Sequence, residues 1–216
     1  MTRNPRLHYC DQRSDEWRAL RLGKVTASRI PDLTARTQSG WSASRSNYAA
    51  ELVLERLTGV ITESYVNGAM QYGIEKEPEA RAAYVFMTDA GVEEIGFIEH
   101  PTVHLSGCSP DGLVGDDGMI EIKCPYPATH LQTLLTKTVD GKYTKQIQWQ
   151  LACAERQWCD FISYRPDFPP PMQLYIQRVT RDDVMISEMT GQVLDFLSDV
   201  ANTVAKLKAQ YLREAA

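Results

Sequence analysis

The sequence predicts a mixed α/β fold, a central sheet with helices on both faces, and three observations carry the prediction. Composition is the first: 216 residues, 43% hydrophobic and 24% charged, suit one globular domain spanning 1–216 with a full core. The second is a change of period at Val92, where helix-spaced apolar residues give way to short alternating runs. The third is element order: helices, hairpin strands, a helical stretch, two strands and a closing helix layer a sheet between helices.

Taken along the chain, Ser14 is placed to cap a first helix, DEWRALRL, which stops at Gly23. A short helical turn starts at Thr26 or Ser28 and breaks before Pro31. The stretch TARTQSGWSASRS (34–46), rich in Ser, Thr and Arg and lacking an apolar period, reads as a mobile loop. NYAAELVLERLTG follows, with Tyr48, Leu52 and the Leu54/Leu57 set at helical spacing and Gly59 past the end. Residues 67–91 are mostly helical, and Pro78 either bends that helix or opens its second part, since it has no N–H for the i−4 carbonyl. VEEIGFIEH, VHLSGCS, GLV and MIEIK then read as strands, with antiparallel pairing the natural outcome. The turn signal GDDG (115–118) folds Leu113 and Val114 back against Met119–Ile122. Helices around 127–136 and 143–155 precede two strands, CDFISYRP and MQLYIQRV, that flank a Pro-rich turn at 169–171. A long helix over 181–212 closes the order, and there is no internal repeat.

The opening MTRNPRLHYC lacks an apolar run of signal-peptide length, and no window approaches the roughly 20 apolar residues of a membrane helix. A soluble, cytoplasmic protein is the expectation. Five cysteines with no CxxC pair argue against a disulfide framework and a zinc knuckle, and the four histidines have no ligand spacing. The net charge of −5 is unevenly spread: residues 1–60 carry ten Lys and Arg against six Asp and Glu, and the remainder is acidic. That distribution suits either an ordinary solvated surface or a DNA enzyme that holds metal ions at its centre and touches phosphates through a local basic surface.

The strand MIEIK carries the chemistry. Alternation puts Met119, Glu121 and Lys123 on one face and Ile120 and Ile122 on the other, and the hairpin brings Asp111 near Glu121 and Lys123. Two neighbouring carboxylates repel unless a divalent cation sits between them, and hard oxygen ligands favour Mg²⁺ or Mn²⁺. A metal-held water beside a Lys ammonium is a route to phosphodiester hydrolysis. The competing account is a Glu/Lys pair on an exposed strand face.

SPDGLVG followed by MIEIKCP resembles the PD-(D/E)XK nuclease signature, in particular that of the lambda exonuclease-like, YqaJ-type viral recombination nucleases. EWRALRLGKVTAS, YGIEKEPEAR and YTKQIQWQL resemble three further blocks of that family, in order. The resemblance implies a restriction-endonuclease-like core and a ring-shaped homotrimer around linear double-stranded DNA. It implies two Mg²⁺ (or Mn²⁺) ions per site, with Asp111, Glu121, the carbonyl of Ile122 and Glu77 as ligands, Lys123 as catalytic lysine and Gln146 holding the water or phosphate. Arg21, Ser28 and Ser109 match positions that receive a 5′-phosphate, and Met70 the place of an apolar wedge at the duplex end. Residue by residue, other readings stay open: Glu77 and Arg81 as an i,i+4 pair, Arg21 as a helix-end cation, Ser28 and Ser109 as caps, Gln146 as a surface residue, Met70 as core.

The activity implied is 5′-to-3′ digestion of one strand to mononucleotides, leaving 3′ tails for a single-strand annealing protein, in a bacterial or phage-infected cell. Open beside it are a site- or structure-specific endonuclease on the same core and a catalytically silent DNA-end-binding protein.

Overall fold

The computed structural model describes residues 4–62 and 68–212. In chain order its elements are β1 (Leu7–His8), α1 (Asp15–Arg21), β2 (Val25–Thr26), α2 (Ile30–Leu33), β3 (Arg36–Thr37), β4 (Gly40–Trp41), α3 (Ala43–Thr58) and α4 (Gly68–Thr88), then the strands β5 (Val92–Glu93), β6 (Phe97–Glu99), β7 (Ser106–Cys108), β8 (Gly112–Val114) and β9 (Gly118–Lys123), and finally α5 (Pro127–Thr136), α6 (Gly141–Ala154), β10 (Trp158–Tyr164), β11 (Leu174–Thr180) and α7 (Asp183–Tyr211).

The strands build two mixed sheets where the sequence suggests one, with orders β1-β6-β7-β2 and β11-β10-β9-β8-β5. Pairing is antiparallel for β6–β7, β5–β8 and β8–β9, as expected, but β9–β10 and β2–β7 run parallel. A parallel neighbour needs a crossover, and α5 and α6 supply it between β9 and β10. The expected strand VEEIGFIEH is interrupted because the chain changes sheet near Gly96, VHLSGCS is strand only from Ser106 because Leu105 turns at φ 60°, and the chain changes sheet again at Pro110. Gly96 has its N–H on the His8 carbonyl, with no room for a side chain against Cys10, and Pro110 has no N–H for a ladder. The Gln12 amide spans both changeover points, donating to the carbonyls of Ile95 (3.1 Å) and Pro110 (3.0 Å).

Two local expectations are corrected, and of the two offered for Pro78 one is excluded. The stretch 34–46 contains the β3–β4 hairpin and the start of α3, held by Trp41 between the guanidinium groups of Arg36 (3.8 Å) and Arg45 (4.0 Å). Pro31 lies in the first turn of α2, where an N–H has no partner to lose. α4 runs from Gly68 through Pro78 to Thr88 as one helix, so Pro78 does not open a new one, and only the Ile74 carbonyl forgoes its donor. Asn67, the first residue of the expected helix, lies outside the described residues. Other signals are realised directly: Ser14 caps α1 through the Trp17 N–H, and Gly59 ends α3 in the left-handed region at φ 71°.

The five-stranded sheet has helices on both faces, as predicted. Ala80 and Tyr84 of α4 pack on Ile120, Ile122, Ile162 and Tyr164. On the other face Met119, Cys159 and Phe161 meet the buried side of α6, with α3 and α7 behind it. Tyr48 of α3 stacks on Phe196 of α7 with centroids 5.4 Å apart.

The histidines serve this framework. His130 is buried between the Ser163 hydroxyl (2.8 Å) and the Met172 carbonyl (2.7 Å). His100 stacks on Trp149, and its Nδ1 accepts the N–H groups of Thr102 and Val103, while Nε2 is buried without a partner. Burial first, then the field of Arg6, pushes the His100 imidazole down from 6.5 to about 4. Its neutral form therefore contributes stability above pH 6.5 that is lost as the pH falls from 6.5 towards about 4, because the unfolded chain takes up the proton first. Chemical denaturation across that range is expected to show this loss in the wild type, and His100→Gln, which keeps an acceptor but does not titrate, is expected to lack that portion.

Candidate active site

β8 and β9 form the tight hairpin that the GDDG turn announces, in the register Gly112↔Ile120 and Leu113↔Met119 with Gly115 at φ 52°. Asp111 immediately precedes β8, and its Oδ2 accepts the Ile122 N–H at 2.6 Å. In an extended strand a residue's N–H and C=O point to the same edge, so the Ile122 carbonyl faces the same side as the Asp111 carboxylate. Gly112, next in the chain, lets β5 pack close, since a Cβ there would lie 2.3 Å from the Val92 side chain.

Glu121 points to the α6 side of β9 and is 2% exposed. Its Oε1 receives the Gln146 amide at 2.6 Å and the Lys123 ammonium at 2.5 Å, and its Oε2 receives the Gln150 amide at 2.7 Å. Gln146 and Gln150 are four residues apart on one helical face, which lets α6 grip both carboxylate oxygens. Gln148, between them, faces elsewhere: it bonds the Thr180 carbonyl and the Asp182 N–H, fixing the start of α7. Burial acts to lower the Lys123 pKa, but Glu121 and Asp111 outweigh it and raise the ammonium well above its usual range. Lys123 stays charged.

Gln146 is thus buried, not a surface residue, and its amide donates to Glu121. Glu77 stands on α4 between Arg81 (2.9 Å) and Arg13 (3.2 Å). The i,i+4 pair is realised, and Pro78 leaves Glu77 directed to the same side as Asp111, which shares its cavity. Burial, then the charges of Glu121 and Glu77, raise the Asp111 carboxyl well above its ordinary value. The cluster therefore favours a proton or a cation. Among the described residues no three Asp, Glu, His or Cys side chains meet closely enough to cage an ion unaided. The hard oxygens of Asp111, Glu121 and the Ile122 carbonyl nevertheless fit Mg²⁺ or Mn²⁺, with Glu77 one helix away.

A second group lies beside α1. The Ser109 hydroxyl receives the indole N–H of Trp17 at 2.8 Å and an N–H of Arg21 at 3.4 Å, and Arg21 stacks on the Trp17 ring at 4.2 Å. Burial lowers the Arg21 pKa, and among the described residues no carboxylate pairs with it. A desolvated cation without a paired carboxylate has the capacity to take an anion. Parallel β2 and β7 bring Ser28 and Ser109 to neighbouring strand ends, but Ser28 is exposed and its hydroxyl reaches Thr26 at 3.4 Å, not Arg21. Met70 is 46% exposed on the first turn of α4, so it is not core.

The profile of the YqaJ-like viral recombinase domain matches residues 16–157. The chain belongs to that family. It is 48% identical to an alkaline exonuclease from Laribacter hongkongensis (LHK-Exo), with a TM-score of 0.86 over 91% of this chain and 97% of the other. The same protein solved in complex with dAMP matches equally, at 48% identity and a TM-score of 0.86 over the same shares of the two chains. A phage-related exonuclease from Haemophilus somnus, 14% identical with a TM-score of 0.67, covers 85% of this chain and 96% of its own and shares the fold. No curated protein matches the chain.

The sequence reading missed Gln150, Arg13 and Trp17. Gln150 and Trp17 stand inside the blocks that carry the family likeness, at spacings that place them beside Gln146 and Arg21. Nothing local marks Arg13, which the fold brings to Glu77 from 64 residues away. Since Glu121 is buried, each bond to it contributes about 1.5–3 kcal/mol, the range for bonds to charged groups. Gln150→Leu is expected to lower stability to urea by that amount, and an unchanged transition midpoint would show that Gln150 does not support Glu121.

Proposed function

We propose that the protein is a Mg²⁺-dependent exonuclease that digests one strand of linear duplex DNA from a 5′-phosphorylated end to mononucleotides, leaving 3′ single-stranded tails for annealing recombination. The observation that carries this reading is the meeting of Asp111, Glu121, Lys123 and the Ile122 carbonyl at one end of the β8–β9 hairpin. The 48% identity to an alkaline exonuclease supports it, and that relative's complex with dAMP, a mononucleotide, is consistent with release of single nucleotides.

In this reading residues 1–216 form one nuclease domain with a restriction-endonuclease-like core. Asp111, Glu121, the Ile122 carbonyl and Glu77 would hold two Mg²⁺ or Mn²⁺ ions. When bound, such ions supply a water of lowered pKa and polarise the phosphoryl oxygen. Lys123, kept charged by Glu121 and Asp111, stabilises the negative charge that develops on the phosphate. Gln146 and Gln150 hold Glu121 in one orientation throughout. Arg21 and Ser109, with Ser28 close by, bind the terminal 5′-phosphate through a planar guanidinium and hydroxyl donors. Met70, exposed at the start of α4, acts as the apolar wedge. Three chains close a ring around the duplex, and the 3′ tail passes to a single-strand annealing protein of phage or prophage origin. The setting is the cytoplasm of a bacterial or phage-infected cell, and among the described residues no helix is long and apolar enough to cross a membrane.

The test is digestion of a linear duplex labelled separately on each strand end, with Mg²⁺ and with excess EDTA. Label at 5′ termini is expected to be released early as mononucleotide while label at 3′ termini stays in the single-stranded tails, and only with the metal. Asp111→Ala and Lys123→Ala are each expected to lower the rate by a hundredfold or more, on the order found when one charge-stabilising group is removed. Full cleavage by either variant sinks the mechanism. Arg21→Ala is expected to erase the preference for 5′-phosphate over 5′-hydroxyl ends. A ratio equal to that of the wild type would assign Arg21 to the helix end alone.

A further inference from the structure

A second cavity, of about 240 Å³, lies on the α4 side of the sheet, where Gly68, Ala69 and Tyr72 face Cys124 and Tyr126 just past β9 and Arg165 just past β10. Its chemistry is unlike that of the carboxylate cluster. Arg165 is 8% exposed and lies over the Tyr72 ring at 4.4 Å, with Nη1 on the Pro125 carbonyl (3.1 Å) and Nη2 paired to Asp167. Its Nε and the Tyr72 hydroxyl are both buried and have no partner. Two desolvated donors left unsatisfied are costly unless a ligand brings acceptors to them. Asp167 already balances the guanidinium charge, which disfavours a phosphate and favours a neutral group. Tyr126, 63% exposed, adds an aromatic ring at the cavity wall.

A neutral, flat group with acceptors on its edge describes a nucleobase, and every base offers both a π-face and edge acceptors. Position points the same way. Cys124 directly follows Lys123, so the cavity opens at the same end of β9 that carries the catalytic lysine, on the other face of the sheet. We propose, on the footing of the nuclease reading above, that this cavity holds one unpaired base of the DNA end, stacked on Tyr126 and hydrogen-bonded to Arg165 Nε and the Tyr72 hydroxyl. Such a site recognises any base, stabilises the opened end and aligns the nucleotide next to the catalytic lysine. The base comes from the strand being cut or from its complement, two sources with one chemistry.

The experiment uses a linear duplex with 2-aminopurine at the terminal position of either strand, titrated with protein in EDTA so that binding is read without cleavage. Stacking quenches this fluorophore. The wild type is expected to quench it in one of the two placements, which identifies the source strand. Tyr126→Ala, at an exposed position that leaves the fold intact, is expected to lose the quench and raise Kd about tenfold. Tyr72→Phe, which keeps the ring under Arg165 and removes only the hydroxyl, is expected to raise Kd a few-fold. Equal quench and Kd in wild type and Tyr126→Ala, quench in neither placement, or no binding at all would overturn the inference. Digestion of the unlabelled duplex with Mg²⁺ is read separately. Its absence counts against the nuclease reading, while the EDTA titration still decides the cavity.

Discussion

The burial of one carboxylate organises the molecule. Glu121 stands in the middle of an apolar strand, and an ionised group there is tolerable only if every oxygen finds donors. Lys123 supplies one from the same strand, but the two amides come from α6, so that helix must lie across β9 in a single register. Once α6 is placed, the rest follows by contact. Its apolar residues Ile147, Trp149 and Leu151 become the centre of the larger core, and Gln148 positions the start of α7. The polar demand of one side chain thus sets the arrangement of several elements.

Much of the site was legible because it is local. The GDDG turn, the alternation of MIEIK and the preceding Asp111 are all within thirteen residues, so a hairpin alone brings Asp111, Glu121 and Lys123 together. The helical faces of α3 and α7 were legible for the same reason. What the sequence hid is non-local. Which sheet a short strand joins depends on Gln12 reaching across two changeover points, and the pairing of Trp41 with two arginines turns a polar stretch into a hairpin. Of the two readings of Pro78, the opening of a second helix is the one that fails: the lost bond does not divide a helix of 21 residues packed on a sheet.

Two cations of the site, Lys123 and Arg21, differ in how their charge is met. Lys123 is answered inside the protein, by Glu121. Among the described residues Arg21 is answered by a ring face and a hydroxyl, with no carboxylate paired to it. Asp111 lies between the extremes, with one N–H bond and two carboxylates nearby. Under the proposed function a DNA polyanion and its counter-ions would complete this distribution, and an acidic chain would need no broadly basic surface to hold it.

The packing of α3 against α7 also governs how the protein comes into being. Tyr48 and Leu52 are buried with Val193, Phe196 and Val200, residues about 140 positions later. During synthesis the aromatic and aliphatic side of α3 therefore waits, uncovered, until residue 200 has cleared the ribosome. Domains emerge at roughly 5–20 residues per second, so that exposure lasts on the order of ten seconds. Throughout this interval the nascent polypeptide carries an apolar helix that is a ready target for chaperones, and an interrupted translation product would keep it permanently.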